Sequence, residues 1–312
     1  MRRHRGLLDE ALAWSALLAA ARRARRGKAD RPEVLRFHAA EADHLIELRD
    51  ALRQGSWRPQ PPKVFHIQQP KPRWISAAPY ADRVVHQILC APLERILESY
   101  LHPFCMANRK GKGVDAGLRV ARREMRRSSH VLCLDVQAYF GSIDHGILKQ
   151  QLGRLIKDQH YIELLCRVID QPAPIGPSMW FEGDDLLTAC RPRGLAIGNL
   201  TSQHFGNLVL APLDHACAIA GLRWVRYVDD VLVFGSRRDL IEQRRVLEST
   251  LTALRLRQHP NKTRIQPTTE PLKFLGLILE QTGRVRPPGR SINRWRVMQG
   301  KGLLMRSRSA RR

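Results

Sequence analysis

Three carboxylates in this chain stand where an acid is costly to keep unless it meets a cation. Asp135 closes the apolar run His130–Leu134, and Asp229 and Asp230 interrupt two apolar runs, Leu222–Val228 and Val231–Gly235. The pattern around the pair is that of a β-hairpin with acids at its tip. Carboxylates from neighbouring strands can hold two magnesium ions roughly 3.5–4 Å apart. One ion would lower the charge on an attacking 3′-oxygen, and the other would hold a triphosphate and its leaving pyrophosphate. The chemistry implied is nucleotidyl transfer. Successive strand residues face opposite sides, so Asp229 and Asp230 share a direction only if the turn reorients one. Asp135 and Asp229 are therefore expected to carry the chemistry, with Asp230 contributing less directly. In isolation each acid also reads as an ordinary turn residue.

Such acids need elements to position them. Residues 1 to about 55 carry helical stripes, Leu7, Leu8, Leu12, Leu17 and Leu18 in one and Val34, Phe37, Leu45, Leu48 and Leu52 in another. After Pro59–Pro62, residues 63–76 read as an extended segment folded back at Gln69-Pro70-Lys71-Pro72. A helix is expected over 82–100 with a break at Pro92. A strand is expected over 130–135. Asp144 should cap a helix running to Ile156. Gly194–Gly198 bounds a loop feeding a helix over about 202–220, which Ser202 is expected to cap. Another helix should span 239–256 and a last strand 274–279. The sum is an α+β pattern, not a doubly wound parallel sheet.

Bulk composition narrows the partner. Among 312 residues, 53 Lys and Arg face 29 Asp and Glu, a net charge of +24. GC-rich coding exchanges Lys for Arg but creates no excess of positive charge. A polyanion relieves the self-repulsion, so a nucleic acid is the expected partner. Six cysteines are scattered without a CxxC pair, which argues against a zinc ribbon or a dense disulfide framework and fits reduced thiols in the cytoplasm. The apolar run Ala11–Ala21 is too short to span a bilayer and reads as an amphipathic helix, with no membrane association expected.

Ordered motifs decide between these readings. LDVQAYFGSIDH at 134–145 resembles the first catalytic motif of reverse transcriptases, and YVDD at 227–230 resembles their second. GLAIGNLTSQ at 194–203 is similar to the loop between them that contacts template and nucleotide. NKT at 261–263, FLG at 274–276, PKPRWISAAPYADRVVH at 70–86 and NRKGKG at 108–113 match further motifs of the family, in order. The resemblance implies a right-hand polymerase fold with fingers, an antiparallel-sheet palm and a short basic thumb. Its boundaries would be an N-terminal helical extension over 1–58, fingers over 59–130, a palm over 131–280 with a fingers-associated segment around 150–195, and a minimal or truncated thumb over 281–312. That last stretch holds ten Lys or Arg and no acid, as a grip on duplex phosphates would require. It reads equally as a solvated tail.

The resemblance also implies site roles. Asp135, Asp229, Asp230 and the backbone of Val136 would hold two Mg2+ ions, with Mn2+ as a substitute. Lys262 would protonate the leaving pyrophosphate, although a surface ion pair is an equal reading. Arg73 and Lys71 would meet the incoming triphosphate; Arg has the donor fork for it, and Lys71 reads equally as a solvated charge. Phe140 would lie under the sugar, and Gly198 would let the backbone approach the nascent pair. Arg109, Lys110 and Lys112 in a glycine loop would face phosphates, although a simple turn reads nearly as well, and Tyr227 would contact nucleic acid. The form IGNLTSQ resembles reverse transcriptases of diversity-generating retroelements. Most relatives carry Gln where this chain has Ile197, and Pro where it has Gln203. An Ile cannot hydrogen-bond an incoming nucleotide, so discrimination should fall. The resemblance then implies a template RNA, a cDNA primer and product, dNTPs, errors opposite template adenines, and a small basic oligomeric accessory protein. Two other readings stay open: a bacterial antiphage-defence reverse transcriptase, and an inactive polymerase-fold scaffold that binds RNA. If Phe140 excludes the ribose 2′-hydroxyl, Phe140→Ala should admit ribonucleotides in primer extension. Unchanged sugar selectivity would remove that role.

Overall fold

The computed structural model describes residues 3–68, 72–177 and 179–288. Four helices open the chain: α1 (Leu7–Leu12), α2 (Trp14–Arg25), α3 (Pro32–Ala39) and α4 (Glu41–Arg53). The stripes read from the sequence are their buried faces, with Leu7, Leu17, Val34, Leu45 and Leu52 at most 1% exposed. A hairpin of β1 (Lys63–Ile67) and β2 (Arg73–Ala77) follows, paired Lys63 to Ala77 and Ile67 to Arg73. Of the segment expected to fold it back, Gln69, Pro70 and Lys71 lie outside the described residues.

The long helix α5 (Tyr80–Tyr100) runs without a break through Pro92. Packing overrides the expected stop, because Leu89, Cys90 and Leu93 are all fully buried. The Tyr161 hydroxyl also donates to the Leu89 carbonyl, giving a partner to the turn that the proline disturbs. Helix α6 (Val114–Met125) then leads into the central strand β3 (His130–Leu134). A short α7 (Tyr139–Ser142) is followed by α8 (His145–Leu155), α9 (Gln159–Ile169) and α10 (Leu186–Ala189). Asp144 caps α8 as expected, accepting from Ile147 N at 3.0 Å.

The single helix expected near 202–220 is two, α11 (Leu200–Val209) and α12 (Ala211–Ile219). Pro212 lies in the first turn of α12, where its missing N–H costs nothing, and it cannot extend α11. Ser202 is not the cap. It lies inside α11 and donates to the Ala196 carbonyl at 2.7 Å, while Asn199 holds the N-cap position.

Strands β4 (Arg223–Tyr227) and β5 (Asp230–Gly235), helix α13 (Arg237–Ala253), and strands β6 (Arg264–Pro267), β7 (Leu272–Phe274), β8 (Leu277–Leu279) and β9 (Val285–Arg286) complete the chain. The last expected strand is thus a hairpin. Leu275 and Gly276 turn it with φ of 51° and 80°, the positive pair a two-residue primed turn needs. The main sheet has the order β4-β5-β3-β6, all antiparallel. One face, with Leu132, Leu134, Val231 and Val233, joins the larger core beside α13. The other, with Val131, Val225, Leu232 and Phe234, packs beneath α6 and the β7–β8 hairpin. The edge strand β4 is bridged at Arg226 by the Phe104–Met106 segment, through Arg226 N to Phe104 O at 3.0 Å and Met106 N to Arg226 O at 2.8 Å. All six cysteines are free, and among the described residues no helix is long and apolar enough to cross a membrane.

Candidate active site

Strand register brings the acids together. Leu134 pairs with Val231 across β3 and β5. Continuing by one residue sets Asp135 opposite Asp230, and alternation puts both on the face that carries Leu232 and Phe234. Asp135 and Asp230 line a cleft of about 590 Å³ between the main sheet and the β7–β8 hairpin, together with Arg73, Lys262, Arg264 and Lys273. The sequence expectation ranked Asp229 above Asp230. In the structure Asp230 is the residue across from Asp135, and Asp229 sits in the two-residue turn with Val228.

That turn is strained and firmly held. Val228 has φ of 58°, a region a β-branched residue rarely enters. Its carbonyl accepts from Arg226 Nη1 at 3.0 Å. Arg226 is fully buried and forms an ion pair with Asp214, which is 1% exposed, at 2.5 Å from Nη2 to Oδ2 and 3.0 Å from Nε to both oxygens. Nη2 also donates to the Asn207 carbonyl at 3.2 Å, and Trp224 Nε1 donates to Asp214 at 3.2 Å. Burial works against the guanidinium's charge, but the Asp214 carboxylate outweighs it and holds the Arg226 pKa above its ordinary value. Sequence reading assigned no role to Arg226, Asp214 or Asn207. The available signal was an arginine among apolar residues in WVRYV, three places before the first of the acids.

The electrostatics of the acids are those of a site short of positive charge. Burial raises the Asp229 carboxyl first, then the charges of Asp230 and Asp135, and with Arg73 opposing, its pKa is pushed up from 3.8 to about 6. Lys262 Nζ lies 2.9 Å from Asp135 Oδ1. Carboxylate oxygens are the donor set that magnesium and manganese prefer. Among the described residues, however, no three His, Cys, Asp or Glu side chains are gathered into a shell that could hold a metal as they stand. The match to a divalent cation is in donor chemistry, with Lys262 occupying one Asp135 oxygen. The backbone of Val136 lies beside Asp135, in an isolated bridge to Gln258.

The other candidates divide. Arg73 lines the cleft from β2, whereas Lys71 lies outside the described residues. Ile197 is half-buried and its carbonyl accepts from Ser76 N at 2.9 Å. Gly198 has φ of 115°, and a Cβ there would stand 3.1 Å from Ile75, so this loop abuts the β1–β2 hairpin where a side chain would be strained. Gln203 accepts from Asn108 Nδ2 at 2.9 Å. Phe140 does not line the cleft; its ring packs on Gly206. Tyr227 is half-buried and pairs with Asp230. Arg109 is engaged inside the protein, with Glu98 at 2.8 and 3.0 Å and with the His102 carbonyl at 2.6 Å. Lys112 donates to Pro103 O at 3.0 Å, and Lys110 is exposed. Arg264 and Lys273 of the cleft were not singled out from sequence.

Two predictions follow from these contacts. Asp214→Ala leaves a buried guanidinium unpaired and should cost about 3–5 kcal/mol in urea denaturation. The double variant Asp214→Leu with Arg226→Met should regain most of that stability, but not nucleotidyl transfer, because the Val228 carbonyl stays unheld. The second concerns Asp229 in chelator. Its native pKa lies above its unfolded value, so the native state binds the proton more tightly. Its contribution is present at low pH and is lost as pH rises from about 4 to about 6. Asp229→Asn should therefore match wild type near pH 4 and exceed it by on the order of 2 kcal/mol at pH 7.5. An equal difference at both pH values would show that the acid is not destabilised by its site.

Comparison with known proteins identifies the family and the fold. Residues 62–279 match the family model described as reverse transcriptase (RNA-dependent DNA polymerase). The chain is 23% identical over 304 residues to the putative COX1/OXI3 intron 1 protein of Saccharomyces cerevisiae, covering 78% of this chain and 35% of that protein. It is 26% identical over 140 residues to protein YkfC of Escherichia coli, covering 43% and 37%. The chain thus spans about a third of the length of these relatives. Among solved structures it resembles telomerase from Candida albicans in complex with a TWJ fragment of telomeric RNA, with TM-score 0.53, 15% identity and coverage of 74% and 46%. It also resembles apo telomerase from Candida tropicalis truncated from its C-terminal domain, with TM-score 0.51, 12% identity and coverage of 80% and 60%. These likenesses extend to the fold, a polymerase fold of mixed helix and sheet. The family model matches well over half of the chain, and the chain belongs to the reverse transcriptase (RNA-dependent DNA polymerase) family.

Proposed function

We propose that this protein copies an RNA template into cDNA, and that it is a reverse transcriptase of the diversity-generating retroelement type. The observation that carries the polymerase reading is the meeting of Asp135 and Asp230 in one cleft with Arg73 and Lys262, with Asp229 in the adjoining turn close enough to feel their charges. In this reading residues 131–280 act as the palm, 59–130 as fingers, and 1–58 as an extension packed on α5.

Asp135, Asp229 and Asp230, with the Val136 carbonyl, would hold two magnesium ions. Bound magnesium would supply charge neutralisation at the attacking 3′-oxygen and at the triphosphate. The protein's own groups do the rest. Arg73 offers a donor fork to the triphosphate as it enters from the β1–β2 side. Lys262 is tethered beside Asp135, within reach of a leaving pyrophosphate to which it can give a proton. The Arg226–Asp214 pair keeps Asp229 from relaxing out of its turn. Gly198 gives the nascent pair a surface without a Cβ.

The retroelement reading rests on Ile197 and on IGNLTSQ. An apolar side chain there leaves the incoming nucleotide one hydrogen bond fewer, which weakens rejection of wrong pairs. The partners would be a template RNA, dNTPs and a small basic oligomeric accessory protein.

Primer extension on an RNA template with magnesium, followed by product sequencing, tests both levels. Wild type should extend and err mainly opposite adenine, Asp229→Ala should abolish extension, and Ile197→Gln should lower the adenine errors several-fold. Accurate copying opposite adenine would defeat the retroelement reading alone; no extension in the presence of the accessory protein would defeat the polymerase reading.

A further inference from the structure

We propose that the outer face of α6 is a phosphate track for the template–product duplex as it leaves the cleft. Arg119, Arg122, Arg123, Arg126 and Arg127 line one pocket of about 310 Å³, and among the described residues no carboxylate lines it with them. Their spacing, i, i+3, i+4, i+7 and i+8, puts them on one side of the helix and its continuation. The opposite side, Gly117, Leu118, Ala121 and Met125, is buried on the sheet. Arg123 is partnered by Glu124 at 2.6 Å, and Arg126 gives one N–H to Thr282 O at 3.2 Å. Arg122 Nε is buried with no hydrogen-bond partner among the described residues. Five guanidiniums held this close repel one another, and a polyanion is the ligand that relieves them. Arginine rather than lysine suits bidentate contact to phosphate oxygens.

Position selects which polyanion. Helix α6 covers Val225, Leu232 and Phe234, on the face of the sheet that bears Asp135 and Asp230. A duplex ending at those acids therefore leaves across α6 or beside it. The near end of the helix touches the cleft wall, since a Cβ on Gly117 would stand 3.2 Å from Leu275. The far end leads into β3, whose five residues put it roughly 17 Å from Asp135. At about 3.4 Å per base pair the far arginines stand beside the fifth pair or so upstream. The seven-residue span from Arg119 to Arg126 covers about 10 Å, or roughly three phosphates of one strand.

The inference rests on the polymerase reading, and its test is separable from it. Affinity for a primer–template duplex is measured against salt for wild type and for Arg119→Gln with Arg126→Gln and Arg127→Gln, changes on exposed positions that leave Arg123 paired with the buried Glu124. The slope of log K against log[salt] should fall by about 2–3 in the variant. Neutral methylphosphonate linkages at upstream positions two to five should weaken wild type and have little further effect on the variant. The same linkages in the single-stranded template ahead of the primer should affect both proteins equally. If wild type extends primers yet the variant keeps its slope and its response to the upstream linkages, the track is overturned while the polymerase reading stands. A variant that loses only an acidic protein partner and binds duplex normally overturns it as well. Absence of extension by wild type strikes the polymerase reading instead.

Discussion

The buried pair of Arg226 and Asp214 is the constraint on which the candidate site hangs. Both groups lie within the protein, where an unpaired charge would cost several kcal/mol. Having met, they fix more than each other. The guanidinium reaches the Asn207 carbonyl on α11 and the Val228 carbonyl in the turn, and its strand neighbour Trp224 binds the same carboxylate. One side chain thereby ties α11, α12 and the β4–β5 turn into a single frame. The positive φ of Val228 persists because this frame over-determines it.

From that frame the electrostatics follow. Register alone brings Asp135 and Asp230 face to face, and the held turn adds Asp229 close enough to feel both. Burial and the crowding of three acids both oppose ionisation, and the raised Asp229 carboxyl is the sign of it. The ammonium of Lys262 and the guanidinium of Arg73 answer part of that charge. The remainder is the demand that a divalent cation or a cation-bearing substrate complex would meet.

Much of this was legible in the sequence because it is local. Apolar alternation around Asp135 and YVDD gave the strands, and the cap at Asp144 needed only one side chain and the amide three residues on. The errors were where tertiary contacts outweigh local preference. Pro92 does not break α5 because buried packing on both sides holds it, and Pro212 divides a helix that periodicity alone runs together. The Leu275–Gly276 turn was hidden because leucine seldom takes a positive φ. Arg109 looked like a free cation in a glycine loop, but Glu98 lies a helix away in sequence and beside it in space. Arg226 was invisible as an anchor for the same reason: its partner lies on α12, and no spacing rule joins them.

The bridge between the Phe104–Met106 segment and β4 bears on how the protein keeps company with itself. An open edge strand offers amides and carbonyls to any other extended chain, and apolar strands such as these are the usual nucleus of aggregation. Here the segment takes both backbone groups of Arg226, next to the last residue of the edge strand. At the opposite edge, β6 carries Arg264 and ends in Pro267, a charge and a missing donor that discourage a newcomer. The sheet that gathers the three acids is thus guarded at both margins against recruiting a second sheet, which matters for strands this apolar.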